Sequence, residues 1–201
     1  MTLILDRTKI ADAGQNRERL IEALYRTPGK AEIVNGEIIE YMATGGFPNF
    51  VAGEIFAELR AYAKRTKGGY AVTDNAGFVV ANLPNRYSFS PDAAFWTGAA
   101  PTMKFYAGAP VFAVEVRSES DYGPVAETEM REKRADYFAA GTEVVWDVDT
   151  RSETATVRKF TQEKGAENPA QVFGKTEDAD AEPALPDFSV TVRDLFPVEE
   201  P

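Results

Sequence analysis

The sequence predicts an α/β or α+β fold in which helices flank a central mixed sheet. Two stretches, 48–67 and 123–140, carry apolar residues at helical spacing. Short apolar runs typical of strands lie between and after them. From Val111 to Val148 the order is strand, long helix, strand, the pattern of a crossover between parallel strands. The length of 201 residues fits a single domain over 1–201.

The first part of the chain predicts a helix and a β-hairpin. We expect residues 1–16 to form an N-terminal extension. Residues 17–26 are expected to form an amphipathic helix because Leu20, Ala23 and Leu24 lie on one side, and the Pro-Gly pair at 28–29 ends it. Asn35-Gly36 then separates two strand-like runs, 31–34 and 37–42. Asn-Gly between such runs is a strong signal for a two-residue hairpin turn.

The middle of the chain predicts a long helix followed by strands. Apolar residues recur every three or four positions through 48–67, so one face of this helix is expected to be buried. Strands are predicted over 70–73, 77–80 and 87–96. Pro91 lies inside the last of these. Because proline cannot donate to a sheet ladder, it predicts a bulge or a sheet edge.

The second half predicts a buried strand, a helix and further strands. The nearly all-apolar run 111–117 indicates a strand buried on both faces. The helix over 123–140 ends at a glycine, which is a common C-terminal cap. The acidic stretch 164–186 is predicted to be a solvated loop. The remaining predicted strands are 143–148, 154–160 and 188–196, the last ending in a short turn.

The composition excludes several classes of chemistry. The chain has no cysteine and no histidine, which excludes disulfides, zinc–thiolate sites and catalytic histidines. The formal net charge of −10 argues against loose binding of nucleic acid unless basic residues cluster on one face. No apolar run approaches the roughly 20 residues of a membrane span. We therefore expect a cytoplasmic protein without a membrane partner.

Glu115 interrupts the apolar strand 111–117. Strand alternation places it on one face with Ala113 and Arg117. A carboxylate in a buried strand is costly unless it is paired or bound to a metal. Glu115 is therefore either a structural partner of Arg117 or of a lysine, or a metal ligand, and the strand alone favours neither.

Asp92 and Lys133 have the same ambiguity. Asp92 follows a Ser-Pro pair, so it is either a turn residue that bonds its own backbone or a second functional carboxylate. Lys133 lies with Tyr137 in an apolar stripe of the 123–140 helix. It either extends its stem over the core and keeps its ammonium in water, pairs with Glu129, or points into a cleft.

Taken together, the three residues indicate a metal site. Asp92 and Glu115 on adjacent strands supply hard oxygen ligands, which suit Mg²⁺ or Mn²⁺ with water completing the shell. Such an ion activates water and stabilises charge on a phosphoryl group. Lys133 beside it can orient the attacking water or stabilise the developing charge. This is a chemistry of phosphodiester hydrolysis that needs no histidine.

The chain resembles the Uma-two family, a branch of the PD-(D/E)XK nuclease superfamily. The resemblance extends from about Leu20 to Phe196, and it rests on an ordered series of motifs more than on any one of them. The matching stretches are 32–40, 90–95, 112–118, 132–141 and 144–149.

This resemblance implies a restriction-endonuclease-like fold in which Asp92 and Glu115 bind the metal. It implies that Lys133 stands in for a lysine that usually follows the glutamate by two residues, where this chain has Arg117. Glu37 matches a further acidic position. It is either an additional metal ligand or an exposed hairpin residue.

One departure from the family pattern affects the expected activity. The family often has a histidine at the start of the long helix, where this chain has Asn49. Asparagine can hydrogen-bond to a substrate but cannot titrate. The leading hypothesis is a metal-dependent DNA endonuclease with Arg117 on a phosphate. Nucleases of this type often act as dimers, so a homodimer is an expectation that the resemblance alone implies. The alternative is a non-catalytic interaction protein that retains a nuclease scaffold.

Overall fold

The computed structural model describes residues 7–151 and 156–197. Its helices are α1 (Arg7–Leu24), α2 (Gly46–Thr66), α3 (Pro124–Ala140) and a 3₁₀ helix at Val192–Leu195. Its strands are β1 (Ala31–Val34), β2 (Glu37–Glu40), β3 (Tyr70–Thr73), β4 (Phe78–Val79), β5 (Ser88–Phe89), β6 (Ala93–Trp96), β7 (Tyr106–Ala107), β8 (Phe112–Val116), β9 (Val144–Asp149), β10 (Thr156–Thr161), β11 (Gln171–Phe173), β12 (Asp178–Asp180) and β13 (Ser189–Thr191).

The largest sheet in the described residues is mixed. Its strand order is β11–β10–β9–β8–β6–β3. Neighbouring strands are antiparallel except β8 and β9, which are parallel and are joined by α3. The predicted α/β class and the predicted crossover between 111 and 148 are therefore confirmed.

Helices cover both faces of this sheet. Buried side chains of α2, including Ile55 and Leu59, pack with Phe112 and Val114 of β8. On the opposite face, residues of α3 such as Tyr137 pack with Ala113. Strand alternation thus sends β8 side chains to the two layers in turn. None of the helices in the described part is long and apolar enough to cross a membrane.

Several local predictions are confirmed. The β1–β2 hairpin has Asn35 and Gly36 at its turn, with φ of 52° and 80°, the positive values that an Asn-Gly turn adopts readily. The predicted face of α2 is buried, with Val51, Ile55 and Leu59 inaccessible to solvent. Gly141 caps α3 with a φ of 108°, in the region that favours glycine.

Two predictions about the strands are wrong. The predicted strand 87–96 is two strands in different sheets, since β5 pairs with β4 and β6 pairs with β8. The break lies at Pro91, which has no N–H for a continuous ladder. The acidic stretch 164–186 is not a loop throughout, because it contains β11 and β12. The charged side chains there alternate with buried small residues, Ala179 and Ala181, which a count of acidic residues does not reveal.

The N-terminal prediction also needs correction. Helix α1 begins at Arg7, so the expected extension 1–16 is helical from residue 7, and residues 1–6 lie outside the described residues. Arg17 anchors the helix, since its guanidinium donates a hydrogen bond to the Val80 carbonyl oxygen. In the predicted strand 154–160, positions 154 and 155 likewise lie outside the described residues.

Candidate active site

Three features hold Asp92 against β8. Pro91 ends the preceding strand, and the Asp92 N–H donates to the Val114 carbonyl oxygen at 3.0 Å. The Val116 N–H donates to Asp92 Oδ2 at 2.7 Å. Because Ala93 is paired with Val114, the next position along the antiparallel pair brings Asp92 beside Glu115.

Glu115 and Lys133 form an ion pair between the sheet and α3. Lys133 Nζ lies 2.8 Å from Glu115 Oε1. One helical turn later, the Tyr137 hydroxyl donates to the same oxygen at 2.7 Å. Residues four apart lie on one face of a helix, so α3 presents the lysine and the tyrosine to Glu115 together.

Glu32 is a third carboxylate of the site, and the sequence analysis did not identify it. It is fully buried, and its Oε1 lies 2.9 Å from Lys133 Nζ and accepts a 2.9 Å hydrogen bond from the Ser90 N–H. Its Oε2 accepts from Arg86 Nη1 and from the Tyr41 hydroxyl. A carboxylate inside the apolar run 31–34 was the available signal, and it is the same signal that identified Glu115.

Glu37 was expected to be either an additional metal ligand or an exposed hairpin residue, and the structure shows the exposed hairpin residue. Its assignment as a metal ligand is therefore corrected. Glu37 is exposed at the start of β2, and in the described residues it makes no ion pair. The reason is the position of the hairpin. Strand β1 faces the interior, where the Ile33 N–H donates to Ser88 Oγ, whereas β2 is the outer strand. The hairpin therefore contributes Glu32 to the site.

Lys30 is the second residue that the sequence analysis missed. Its ammonium lies 2.8 Å from Asp74 Oδ1 and donates a hydrogen bond to Asp92 Oδ1. Lys30 precedes β1 and Asp74 follows β3, so only the tertiary fold brings these residues to Asp92. No local pattern in the sequence distinguished this lysine from a surface residue.

The two carboxylates that share Lys133 are shifted in opposite directions. Burial raises the pKa of Glu115, and repulsion from Asp92 adds to it, which outweighs the attraction of Lys133 and Lys30. Burial also acts to raise the pKa of Glu32, but attraction to Lys133 and Arg86 outweighs it and leaves the pKa below its ordinary value. The negative charge of Glu115 is thus less well compensated by neighbouring cations than that of Glu32.

Both lysines are held in the charged state. Burial disfavours the Lys133 ammonium, but Glu115 and Glu32 outweigh burial and raise its pKa. Burial acts on Lys30 in the same way, and Asp92 and Glu115 outweigh it and raise its pKa. Lys133 therefore acts as a cation and hydrogen-bond donor at neutral pH, and not as a general base.

Two further predicted residues, Arg117 and Asn49, make no hydrogen bond or ion pair with Asp92, Glu115 or Lys133 in the described residues. Arg117 was expected to reach a phosphate, but it is 1% exposed and its guanidinium is bonded to Asp147 and Glu127. That prediction is corrected, because a guanidinium paired on both edges has no free donor face for a phosphate. Asn49 lies exposed in the first turn of α2, and its side chain makes no hydrogen bond within the described residues.

The site residues form two ion-paired groups, one around Lys30 and one around Lys133 and Arg86, which adjoin where Asp92 lies beside Glu115. We call the two groups together the central charge cluster. Within the described residues it contains five carboxylates and three cations: Glu32, Asp74, Asp92, Glu115 and Asp136, with Lys30, Arg86 and Lys133. Five negative and three positive charges leave an excess of two negative charges. A divalent cation carries the charge that neutralises this excess.

The donor atoms also suit a divalent cation. The side chains of Lys30, Asp92, Glu115 and Lys133 keep 13–16% of their surface exposed, so the cluster opens to solvent. Glu115 Oε2 makes no hydrogen bond in the described part of the chain and is free for a ligand. No group of three or more ligand side chains there is arranged to hold a metal. Asp92 and Glu115 are the two side chains that could hold such an ion, with water completing its shell as Mg²⁺ commonly requires.

Known proteins provide an independent comparison. Residues 18–193 match the model of the Uma2 family, described as "Putative restriction endonuclease". No curated protein matches the sequence. A solved structure of a protein described as a putative nuclease belonging to DUF820, from Anabaena variabilis, superposes with a TM-score of 0.67 at 16% identity. The superposition covers 88% of this chain and 96% of that one, so the two share a fold.

Proposed function

Because the chain belongs to the Uma2 family of putative restriction endonucleases, we propose that it is a metal-dependent DNA endonuclease. The reaction is hydrolysis of a phosphodiester bond. The neighbour of known structure is itself described as a putative nuclease, and its shared fold supports the same class of reaction here. Asp92, Glu115 and Lys133 are the residues that we assign to the reaction.

The observation that carries this proposal is the position of Lys133. Its ammonium lies 2.8 Å from Glu115 Oε1, although the two residues come from a helix and a strand 18 positions apart. Lys133 lies beside a carboxylate whose charge is weakly compensated, in a cluster open to water. An apolar pair at these positions would stabilise the fold at least as well, so stability alone does not explain the charges. Such an arrangement is instead suited to a reaction in which negative charge develops.

Each residue has a distinct role. Asp92 and Glu115 would hold Mg²⁺ or Mn²⁺, with the free Glu115 Oε2 as one ligand atom. When bound, the ion lowers the pKa of a coordinated water and stabilises charge on the phosphoryl group. Lys133 donates hydrogen bonds to the oxygen on which charge develops. Tyr137 is a positioning residue, since its hydroxyl fixes the rotamer of Glu115.

A second candidate function is a non-catalytic interaction protein that retains this scaffold. The observation that favours it is that two basic residues of α3 are engaged in ion pairs with carboxylates. Arg134 is buried and its Nη1 lies 3.1 Å from Asp147 Oδ2, a carboxylate that it shares with Arg117. Arg131 is half-buried, and its Nη1 lies 3.6 Å from Glu167 Oε1. With a net charge of −10, these side chains do not supply a basic rim for DNA.

DNA cleavage distinguishes the two functions. Purified protein is incubated with supercoiled plasmid and with single-stranded DNA, in Mg²⁺, in Mn²⁺ and in EDTA. We expect metal-dependent cleavage by the wild type, loss of it in Glu115→Ala and Lys133→Met, and retention in the matched control Glu37→Ala. Cleavage that survives both of the first two substitutions would assign the activity to other residues or to a contaminant. No cleavage by the wild type under any of these conditions would favour the interaction protein.

A further inference from the structure

Lys30 already forms an ion pair with Asp92, one of the two carboxylates that are expected to bind the metal. Lys30 Nζ bonds Asp92 Oδ1, and its side chain is 15% exposed. The same ammonium lies 2.8 Å from Asp74 Oδ1, whose side chain is 29% exposed. The cation is therefore shared between a more enclosed carboxylate inside the site and a more open carboxylate at its edge.

Lys30 is not needed to orient Asp92. The backbone of Asp92 is fixed by its N–H bond to the Val114 carbonyl oxygen, and Oδ2 is fixed by the Val116 N–H. What Lys30 adds is positive charge next to Asp92 and near Glu115. A divalent ion on the same two carboxylates would supply that same charge compensation.

The two cations compete for the same place. A positive charge about 5 Å from a doubly charged ion repels it strongly, even at the effective dielectric constant of a protein surface. Binding of a divalent ion therefore requires the ammonium to move away from Asp92. Asp74, which the ammonium already contacts, is the partner that Lys30 keeps when its flexible stem moves away from Asp92.

We propose that Lys30 is a built-in counter-ion of the metal site, which holds Asp92 in the metal-free protein and transfers to Asp74 when a divalent ion enters. This inference rests on the proposed function, because it assumes that Asp92 and Glu115 are the metal ligands. It assigns Lys30 and Asp74 a role as positioning residues that set metal affinity. The metal-free protein thereby avoids two adjacent uncompensated carboxylates.

Removing Lys30 should therefore tighten metal binding. Without it the central charge cluster has two cations against five carboxylates, so its excess rises from two to three negative charges. Removing Asp74 should weaken binding, because Lys30 then loses its alternative partner and stays on Asp92. If Asp74 acts through Lys30, its substitution should matter much less once Lys30 is absent.

The test is calorimetric titration of Mn²⁺ into the full chain without DNA, so that its readout is independent of activity. We expect Lys30→Met to bind Mn²⁺ at least about tenfold more tightly than the wild type. The matched control Lys175→Met removes the same charge from an exposed turn and should bind like the wild type. Lys30→Gln covers the case in which the methionine variant fails to fold, and charge-conserving Lys30→Arg should show no gain.

A double-mutant cycle completes the test. Asp74→Asn should weaken binding several-fold in the wild type and have little effect in Lys30→Met. Unchanged or weaker binding by Lys30→Met and Lys30→Gln, at a site abolished by Asp92→Asn, would overturn the role of Lys30 and leave the metal site intact. Binding that survives Asp92→Asn in both backgrounds, or no binding by any variant, would overturn the metal site and this inference with it.

Discussion

Replacing Glu32 with glutamine should destabilise the protein by about 3 kcal/mol, although the change replaces only one carboxylate oxygen with an amide NH₂ group. Glu32 is fully buried and has donors on both oxygens, with Lys133 and the Ser90 N–H at Oε1 and Arg86 and Tyr41 at Oε2. A glutamine amide keeps one oxygen, so its NH₂ group must face one of these two sets of donors. One pair of hydrogen bonds is lost, and two buried cations lose a counter-charge.

The size of the loss in stability depends on the carboxylate partners that Lys133 and Arg86 keep in the variant. Removing one partner of a buried ion pair costs about 3–5 kcal/mol. We take the lower end because Lys133 retains Glu115 and Arg86 retains Asp136. For a chain of this size, about 3 kcal/mol corresponds to a fall in Tm of about 6–12 °C.

Urea unfolding of the purified variants at pH 7 measures the effect. Glu37→Gln is the matched control, since Glu37 lies exposed on the same hairpin and should change stability by no more than about 0.5 kcal/mol. The Glu32 effect should also depend on pH. Because the folded pKa of Glu32 is lowered, its stabilisation is present above the unfolded value of 4.5 and is lost as the pH falls through the folded pKa. Equal stability of the two variants at pH 7 would refute the reasoning.

The remaining predictions concern Glu115 and the bound ion. Glu115→Gln should leave the stability unchanged or raise it at pH 7, and the gain should vanish towards pH 4.5, because the folded pKa of Glu115 is raised and its charge is unfavourable above that value. Thermal melts check this, and a clear loss of stability at pH 7 would contradict it. Mg²⁺ at 100 times its Kd should stabilise the wild type by about 2.7 kcal/mol and leave Glu115→Gln unchanged, whereas an equal response would place the ion elsewhere. DNA binding in Ca²⁺, followed by fluorescence anisotropy, should weaken by about an order of magnitude between 50 and 200 mM salt if two or three phosphates are contacted. Binding that is absent at low salt would remove DNA as the substrate.

Periodicity predicted the elements that dominate the fold. The apolar spacing of α2 and the run of β8 depend on burial against a neighbour, which leaves a regular trace in the sequence. Strands of two or three residues, such as β7 and β12, leave no such trace. Their formation depends on pairing with other segments, as in the case of β7, whose Tyr106 lies opposite Phe78 of β4.

The candidate site was predictable where a charged residue interrupts an apolar pattern. Glu115 and Lys133 both do so, and the structure brings them together. Glu32 also interrupts an apolar run, but the family resemblance pointed to Glu37, the more exposed acidic residue of the same hairpin. Arg117 gave a misleading signal, since its partner Asp147 comes from the adjacent strand β9, 30 positions later. Lys30 gave none, because its role depends on Asp74 and Asp92 from other elements.

The most direct test of the central claim is anomalous diffraction from crystals of the protein soaked in Mn²⁺. We predict a single strong peak between Asp92 and Glu115, about 2.1 Å from a carboxylate oxygen of each, with Lys30 withdrawn towards Asp74. Crystals of Glu115→Gln treated in the same way should lack the peak. A peak confined to the acidic residues of β12, or none near Asp92 in well-ordered crystals, would contradict the assignment of this site to a metal-dependent nuclease.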